Sequence, residues 1–401
     1  MPKPPRYRPI PFLYDLLRAI GAAFLYLFCG FRRTGGKIPS DGPLLVVASH
    51  QGMMDFMTVA EALPGRRVQF IATRRYFRNR LMRLFFRIDG AIPKTQFYPD
   101  PAGIAAVFRI LREGGTVALF PAGQTSVCGL PETVSPVIAR LVKRAGAPVC
   151  AVRQHGGFYT LPRFRAHRFC FGRVEAEVSV ILTPKELQTL SEGEIYRTLC
   201  DAIHFDEAAW QARTGARFRG RHRAEGLENA LWCCPRCGTE FSLHGEGNDL
   251  ICGCCGNRAR LGSDMRFVPA MPADHMLPTV TDWYLWQEEL LRAATAAPEF
   301  RLETEAEALS WDGNGFALHG TGQLLLTGSE ICYTGGWEGE SVTLKARHES
   351  LPGLTTAHGG YIEIYHDRYG LVRYRLPVAA VLPKWKQAQE YLHRQLTGDL
   401  G

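Results

Sequence analysis

His50 and Asp55 stand five positions apart in Ser49-His50-Gln51-Gly52-Met53-Met54-Asp55-Phe56-Met57. An imidazole whose tautomer is fixed by a carboxylate is a general base that works near neutral pH. The spacing constrains how the two can meet. Five positions on a regular helix rotate by about 500°, which leaves the side chains about 140° apart. They can meet only if His50 occupies a turn before the helix and Asp55 reaches back to it. The apolar run Leu44-Leu45-Val46-Val47-Ala48, bounded by Asp41-Gly42-Pro43, predicts a buried strand leading into that turn. From Gln51 onward the sequence predicts a helix, with Met53, Phe56, Met57 and Ala60 at helical spacing and Asp55 in the second turn. Its amino terminus would favour an anionic ligand.

A second constellation offers metal chemistry. Cys234-Pro235-Arg236-Cys237-Gly238 and Cys252-Gly253-Cys254-Cys255-Gly256 are two Cys-x-x-Cys turns with 14 residues between them. Zn²⁺ takes four thiolates in a tetrahedron, and each turn supplies two. The glycine after each turn permits the backbone to fold around the sulfurs. Between the turns, Glu240 to Leu243 and Leu250-Ile251 flank His244 to Asp249, which predicts a hairpin and hence a structural zinc ribbon. Cys233 and Cys254 adjoin the proposed ligands Cys234, Cys237, Cys252 and Cys255 and are their rivals. Thiolate sites among scattered unpaired cysteines imply a reducing compartment.

These residues need a scaffold. Strands are expected at 44–48, 68–72, 116–120, 149–152 and 173–182. Helices are marked by the cap and N1 proline Asp100-Pro101 and by capping boxes at Thr183-Glu186 and Ser191-Glu194. The alternation predicts an α/β domain with a mostly parallel sheet. Further on, Thr281 to Ala297 reads as a packing helix. Five short strands follow (322–326, 330–334, 341–346, 361–365 and 371–376), then one helix, about Leu382 to Leu396. The expected organisation is residues 1–228 for the α/β domain, 229–262 for the ribbon, 263–298 for a linker helix and 299–401 for a β domain closed by its helix, similar to a PH or GRAM domain.

Four blocks occur in order: Ser49 to Met57; Gly90-Ala91-Ile92-Pro93-Lys94; Phe120-Pro121-Ala122-Gly123-Gln124-Thr125-Ser126; and Ala147-Pro148-Val149-Cys150-Ala151-Val152. Together they resemble the phospholipid/glycerol acyltransferase family, which includes the lysophosphatidic acid acyltransferases. The resemblance covers the first half of the chain. It implies that His50, oriented by Asp55, deprotonates the hydroxyl of a lysophospholipid such as 1-acylglycerol-3-phosphate. That hydroxyl then attacks the thioester of acyl-CoA or acyl carrier protein. A thioester is already activated, so no enzyme nucleophile is needed and no acyl-enzyme is expected. Lys94 matches the position that meets the acceptor's phosphate, and Phe120, Pro121, Gly123, Gln124 and Ser126 form the third block around the substrate. That block departs from the family: Ala122 replaces its usual glutamate and Thr125 its common arginine. The departure leaves a catalytically weak or silent lipid-binding protein as the alternative.

Charge and hydropathy indicate where such an enzyme would work. Between Arg66 and Arg87 lie eight arginines and no carboxylate, a stretch suited to anionic lipid headgroups. Residues 10–31 are apolar, but the uninterrupted part from Ala19 is 13 residues, short of the roughly 20 that cross a bilayer. With Asp15 and Arg18 in the segment, the expectation is a helix lying on the cytoplasmic face of the membrane. No signal-peptide pattern is expected at Met1 to Arg6. A Ser-His hydrolase is excluded by the lack of a Gly-x-Ser-x-Gly elbow. Nucleic acid is not expected as a partner, because Glu240, Glu246 and Asp249 make the ribbon hairpin acidic.

Overall fold

The computed structural model describes residues 7–94, 100–165, 169–312, 315–357 and 360–398. The chain forms two compact units, Met1–Arg163 with His167–Gly220 and Ser263–Met265, and Phe164–Ala166 with Arg221–Gly262 and Arg266–Gly401.

In the first unit the elements run α1 (Pro11–Cys29), β1 (Arg32–Gly35), β2 (Leu44–Ala48), α2 (Asp55–Ala62), β3 (Val68–Thr73), α3 (Arg80–Asp89), β4 (Ile92–Lys94), α4 (Pro101–Arg112), β5 (Thr116–Leu119), α5 (Val137–Ala145), β6 (Val149–His155), α6 (Gly157–Thr160), β7 (Glu175–Leu182), α7 (Pro184–Thr189), α8 (Glu192–Ile203) and α9 (Glu207–Thr214). One sheet holds all seven strands in the order β1-β7-β6-β2-β5-β3-β4. Every pairing is parallel except β6 with β7. All five β2 residues are buried, because a central strand covered by helices on both faces reads as a continuous apolar run. The short strands β1 and β4 went unread in the sequence, their three or four residues being too few to show a period. Leu45, Val47, Val117 and Val149 pack against α4, α5 and α8 on one face. Leu44, Val46, Ala118 and Val152 pack against α1 and α2 on the other.

The α1 helix is 19 residues long, longer than its uninterrupted apolar run. Its two charges are accommodated by the domain: Asp15 pairs with Arg67 at 2.7 Å, and Arg18 with Glu61 at 3.5 Å. By length and composition this helix is apolar enough to cross a membrane. Tyr14, Leu25 and Cys29 are nonetheless buried against the domain, and Phe12, Leu16, Ile20, Leu27 and Phe28 are exposed.

In the second unit, β8 (Leu243–Glu246), β9 (Asp249–Cys252), β10 (Arg258–Leu261) and β11 (Phe267–Pro269) form an antiparallel sheet ordered β11-β10-β9-β8. The β8–β9 hairpin turns at Gly247-Asn248, more tightly than the sequence suggested, because Glu246 pairs with Asp249. After α10 (Val280–Thr295) come β12 (Arg301–Trp311), β13 (Phe316–Thr327), β14 (Glu330–Trp337), β15 (Glu340–Arg347), β16 (Thr355–Ala357), β17 (Tyr361–His366), β18 (Gly370–Arg375) and α11 (Leu382–Thr397). These strands are antiparallel in the order β15-β14-β13-β12-β18-β17-β16. β12 precedes the five strands expected from sequence: its glutamates look like a solvated segment, yet Ala306 and Ala308 alternate with them and are buried. Helix α11 is buried on its polar side as well as its apolar one. Lys386 and Glu390 form an ion pair inside the protein, both at most 5 % exposed, so a polar helix is enclosed rather than laid on a surface.

Candidate active site

Strand β2 ends at Ala48, and the chain then turns through His50 to Met54 before α2 begins at Asp55. The helix starts four residues later than the sequence suggested, and this lets the pair meet. Asp55 is the first helical residue, and its carboxylate folds back over the turn. His50 Nδ1 lies 2.7 Å from Asp55 Oδ2. The Gln51 N–H donates to the same oxygen at 2.5 Å, and the Gly52 N–H lies 3.1 Å from both carboxylate oxygens. Asp55 is 2 % exposed, so the charge it brings inside is met by these donors. The Met53 N–H donates to Leu161 O at 3.1 Å. The amides of Gln51 and Gly52 are thus taken by Asp55 and that of Met53 by Leu161 O, so none of the three serves as an oxyanion donor.

Phe120, just beyond β5, stacks on the His50 ring at 4.2 Å between centroids and 20° between planes. The following loop is tied to the same turn by a Ser126 N–H donating to His50 O at 2.9 Å. Ser126 is fully buried; its hydroxyl donates to Leu130 O and accepts from the Gly129 N–H. Gln124 is also buried, giving Nε2 to Glu132 at 3.1 Å and accepting Arg163 Nη1 at 3.2 Å. Gly123, exposed at φ +68°, closes a tight turn onto Phe120 O beside Pro121. Ala122 packs against the core. Glu132 and Arg163, neither singled out from sequence, therefore bring a carboxylate and a guanidinium to the block that lacks its own. They escaped notice because they lie outside the block and arrive by folding.

Lys94 ends β4, level with Thr73 in the register. β4 stands three strand positions from β2, a lateral distance of about 14 Å. Burial holds the Lys94 ammonium below its usual value, partly offset by Asp100, which also pairs with Arg74 at 3.2 Å. His50, Phe120 and Lys94 thus lie at the carboxyl ends of parallel strands, where open α/β sheets bind ligands. The arginine run does not form one face. Arg66 is buried, donating to Pro39 O, Asp41 O, Gly42 O and Thr116 Oγ1, and Arg67 and Arg74 are paired with carboxylates. On α3, by contrast, Arg80, Arg83 and Arg87 are exposed beside Leu81 and Leu84.

In the second unit, the sulfurs of Cys234, Cys237, Cys252 and Cys255 all lie within 4.8 Å of one another. The Cys234–Cys255 and Cys237–Cys252 separations are both 3.8 Å. A tetrahedron with bonds of about 2.3 Å has an edge of about 3.8 Å, whereas a disulfide needs about 2.05 Å. The donor set therefore fits a metal. Gly238 and Gly256, both at φ +71°, close the two turns with N–H bonds to Cys234 O and Cys252 O. Cys233 is buried with its Sγ toward Gly238 O, and Cys254 is exposed beside Thr239, so neither belongs to the four-sulfur group.

Residues 32–154 match the family model described as Acyltransferase. Over 87 residues the chain is 26% identical to the 1-acyl-sn-glycerol-3-phosphate acyltransferase of Bacillus subtilis (strain 168), covering 22% of this chain and 44% of that protein. The chain thus spans less than half the length of this curated relative. Among solved structures, it is similar to the 1-acyl-sn-glycerophosphate (LPA) acyltransferase PlsC from Thermotoga maritima, at a TM-score of 0.39 and 22% identity over 48% of this chain and 80% of that one.

Proposed function

We propose that this chain is a membrane-associated O-acyltransferase that moves a fatty acyl group from acyl-CoA or acyl carrier protein to the hydroxyl of a lysophospholipid such as 1-acylglycerol-3-phosphate. The observation that carries the reading is the His50–Asp55 pair, 2.7 Å apart at the carboxyl edge of a parallel sheet, inside the segment that matches the acyltransferase family. In this mechanism His50 takes the proton of the acceptor hydroxyl. The hydroxyl oxygen adds to the thioester carbonyl, and collapse of the adduct releases the thiol, which recovers the proton. Asp55 holds the imidazole and stabilises the cation it becomes. Phe120 fixes the ring plane by stacking, and Pro121 and Gly123 shape the wall beside it. Gln124 and Ser126 act from inside that wall, holding the loop; Gln124 also steadies Arg163. Lys94 and Arg163 are the two cations assigned to the acceptor's phosphate. The comparisons do not favour the alternative of a silent lipid binder, although Ala122 keeps it testable.

The membrane is met by the exposed apolar residues of α1 and by α3, whose Leu81 and Leu84 can enter lipid while Arg80, Arg83 and Arg87 meet anionic headgroups on the cytoplasmic face. Cys234, Cys237, Cys252 and Cys255 are assigned to one structural Zn²⁺; with four thiolates no coordination position is left for substrate. The strand order of the β domain, its first strand pairing β13 along its length and β18 only over residues 307–310, and its closing helix support a PH-like assignment. Purified protein incubated with acyl-CoA or acyl carrier protein thioesters and a panel of lysophospholipids tests the activity. Thioester consumption dependent on one acceptor, with the diacyl product identified by mass spectrometry, is the expected result; no product with any acceptor would leave the silent lipid binder.

A further inference from the structure

A second histidine–carboxylate pair stands behind the first. Glu207, the first residue of α9, is wholly buried, and its Oε1 lies 2.8 Å from His155 Nδ1. Its Oε2 accepts the Gly156 N–H at 2.7 Å. The third donor is Gln51, the residue after His50, whose Nε2 reaches Glu207 Oε1 at 2.9 Å and also donates to Gln154 O. Gln51 Oε1 accepts the Gly157 N–H at 3.2 Å, and the Gln51 backbone N–H is the one that donates to Asp55. An unbroken hydrogen-bonded path therefore runs from Asp55 through Gln51 to Glu207 and His155. The backbone N–H of Glu207 donates to Gly129 O, in the loop that also holds Ser126 against His50.

Burying a carboxylate costs several kcal/mol unless donors meet it, and an apolar side chain would fill the same volume more cheaply. What a carboxylate supplies here is direction. An amide has one accepting and one donating end, and Gln51 has neighbours for both. Glu207 and Gln154 O both draw the NH₂ of Gln51, while the Gly157 N–H takes its oxygen; of the three, Glu207 is the side-chain partner, and it ties that orientation to α9. That orientation fixes the Gln51 backbone and hence the N–H that grips Asp55. Two glycines allow the close fit: a Cβ on Gly52 would lie 2.5 Å from Gly157 O, and one on Gly157 would lie 3.0 Å from Asp55 Oδ1. His155 steadies the far side, stacked on Trp210 at 5.4 Å with 4° between planes.

We infer that Glu207 is a positioning residue for the His50–Asp55 pair, acting through the side chain of Gln51. Its catalytic consequence rests on the function proposed above; the coupling itself does not. Glu207→Gln keeps the volume but removes the charge and can place an NH₂ where three donors converge, so the Gln51 side chain loses its anchor on α9 and is held only by Gln154 O and the Gly157 N–H. A displacement of about 1 Å at a reacting group costs about 10²-fold in rate, so kcat should fall by roughly 10- to 100-fold with KM for the acceptor little changed. Gln51→Leu should match that loss, and the double variant should add nothing further. Hydrogen exchange supplies a readout independent of turnover: peptides over 49–54 should exchange faster in either variant, with 44–48 and 116–119 unchanged. Should Glu207→Gln fail to fold, Gln51→Leu carries both measurements. Unchanged kcat and exchange in the variants would overturn the inference. So would a uniform rise in exchange across the sheet, which would mark a merely structural carboxylate. Localised exchange in a protein whose wild type transfers no acyl group would uphold the coupling and overturn the proposed function instead.

Discussion

Replacing Asp55 by asparagine removes one charge from the centre of the site and leaves its shape nearly intact. In the resting pair, Asp55 Oδ2 sits 2.7 Å from His50 Nδ1 and also takes the Gln51 and Gly52 amides. When His50 accepts the acceptor's proton, an imidazolium forms against that carboxylate. Two unit charges about 4 Å apart attract by about 4 kcal/mol at an effective dielectric constant near 20. At 1.36 kcal/mol per decade this is about 10³ in rate. Asp55→Asn should therefore reduce kcat by up to about 10³-fold, and His50→Ala by roughly 10² to 10⁴-fold. The asparagine also weakens the charge-assisted bonds to the turn, costing about 1 to 3 kcal/mol of stability. Acyl transfer followed by thiol release, beside urea unfolding of each variant, separates the two effects. A folded Asp55→Asn enzyme within about threefold of wild-type kcat would refute the assignment of His50 as a base supported by Asp55. A loss confined to KM would show that the pair binds substrate rather than moving a proton.

Elemental analysis of protein purified without added metal should find about one zinc per chain, and the pair Cys237→Ser and Cys252→Ser should abolish it without touching the His50 turn directly. Sedimentation with vesicles containing anionic lipid should weaken with salt, and weaken further when Leu81 and Leu84 are changed to serine or residues 1–31 are removed; indifference to all of these would argue against interfacial binding. Burial lifts the Asp89 carboxyl to about 7, so the folded state keeps a proton that the unfolded chain releases near pH 4. Unfolding free energy should accordingly fall as pH rises from about 4 to about 7, and Asp89→Asn should flatten that window in urea titrations. Arg163→Gln and Lys94→Gln should each raise KM for lysophosphatidic acid while sparing a monoacylglycerol acceptor; an equal effect on both acceptors would remove the phosphate role.

Sequence alone reached the elements whose physics is local. The buried run at 44–48 could only be an interior strand, and the caps at Asp100, Thr183 and Ser191 each hold a helix start through a side chain three residues from its partner. The four cysteines were legible for the same reason, since each Cys-x-x-Cys turn sets half of a tetrahedron by itself. Tertiary structure decided what depends on pairing across distance. Arg163, His155 and Glu207 carry no spacing signal, because Gln124, Glu207 and Gln51 reach them from 39 to 156 positions away in the chain and only when the strands align, and Glu132 reaches Gln124 and Val127 only through the fold of its own loop. The direction of β7 was likewise undecidable from its alternation, which is the same in either sense; only hydrogen bonding to β6 and β1 fixes it. Gln124 and Ser126 show the difference within one motif. Their place in the third block was readable from sequence, but their inward orientation follows from a loop that must satisfy its own buried polar groups.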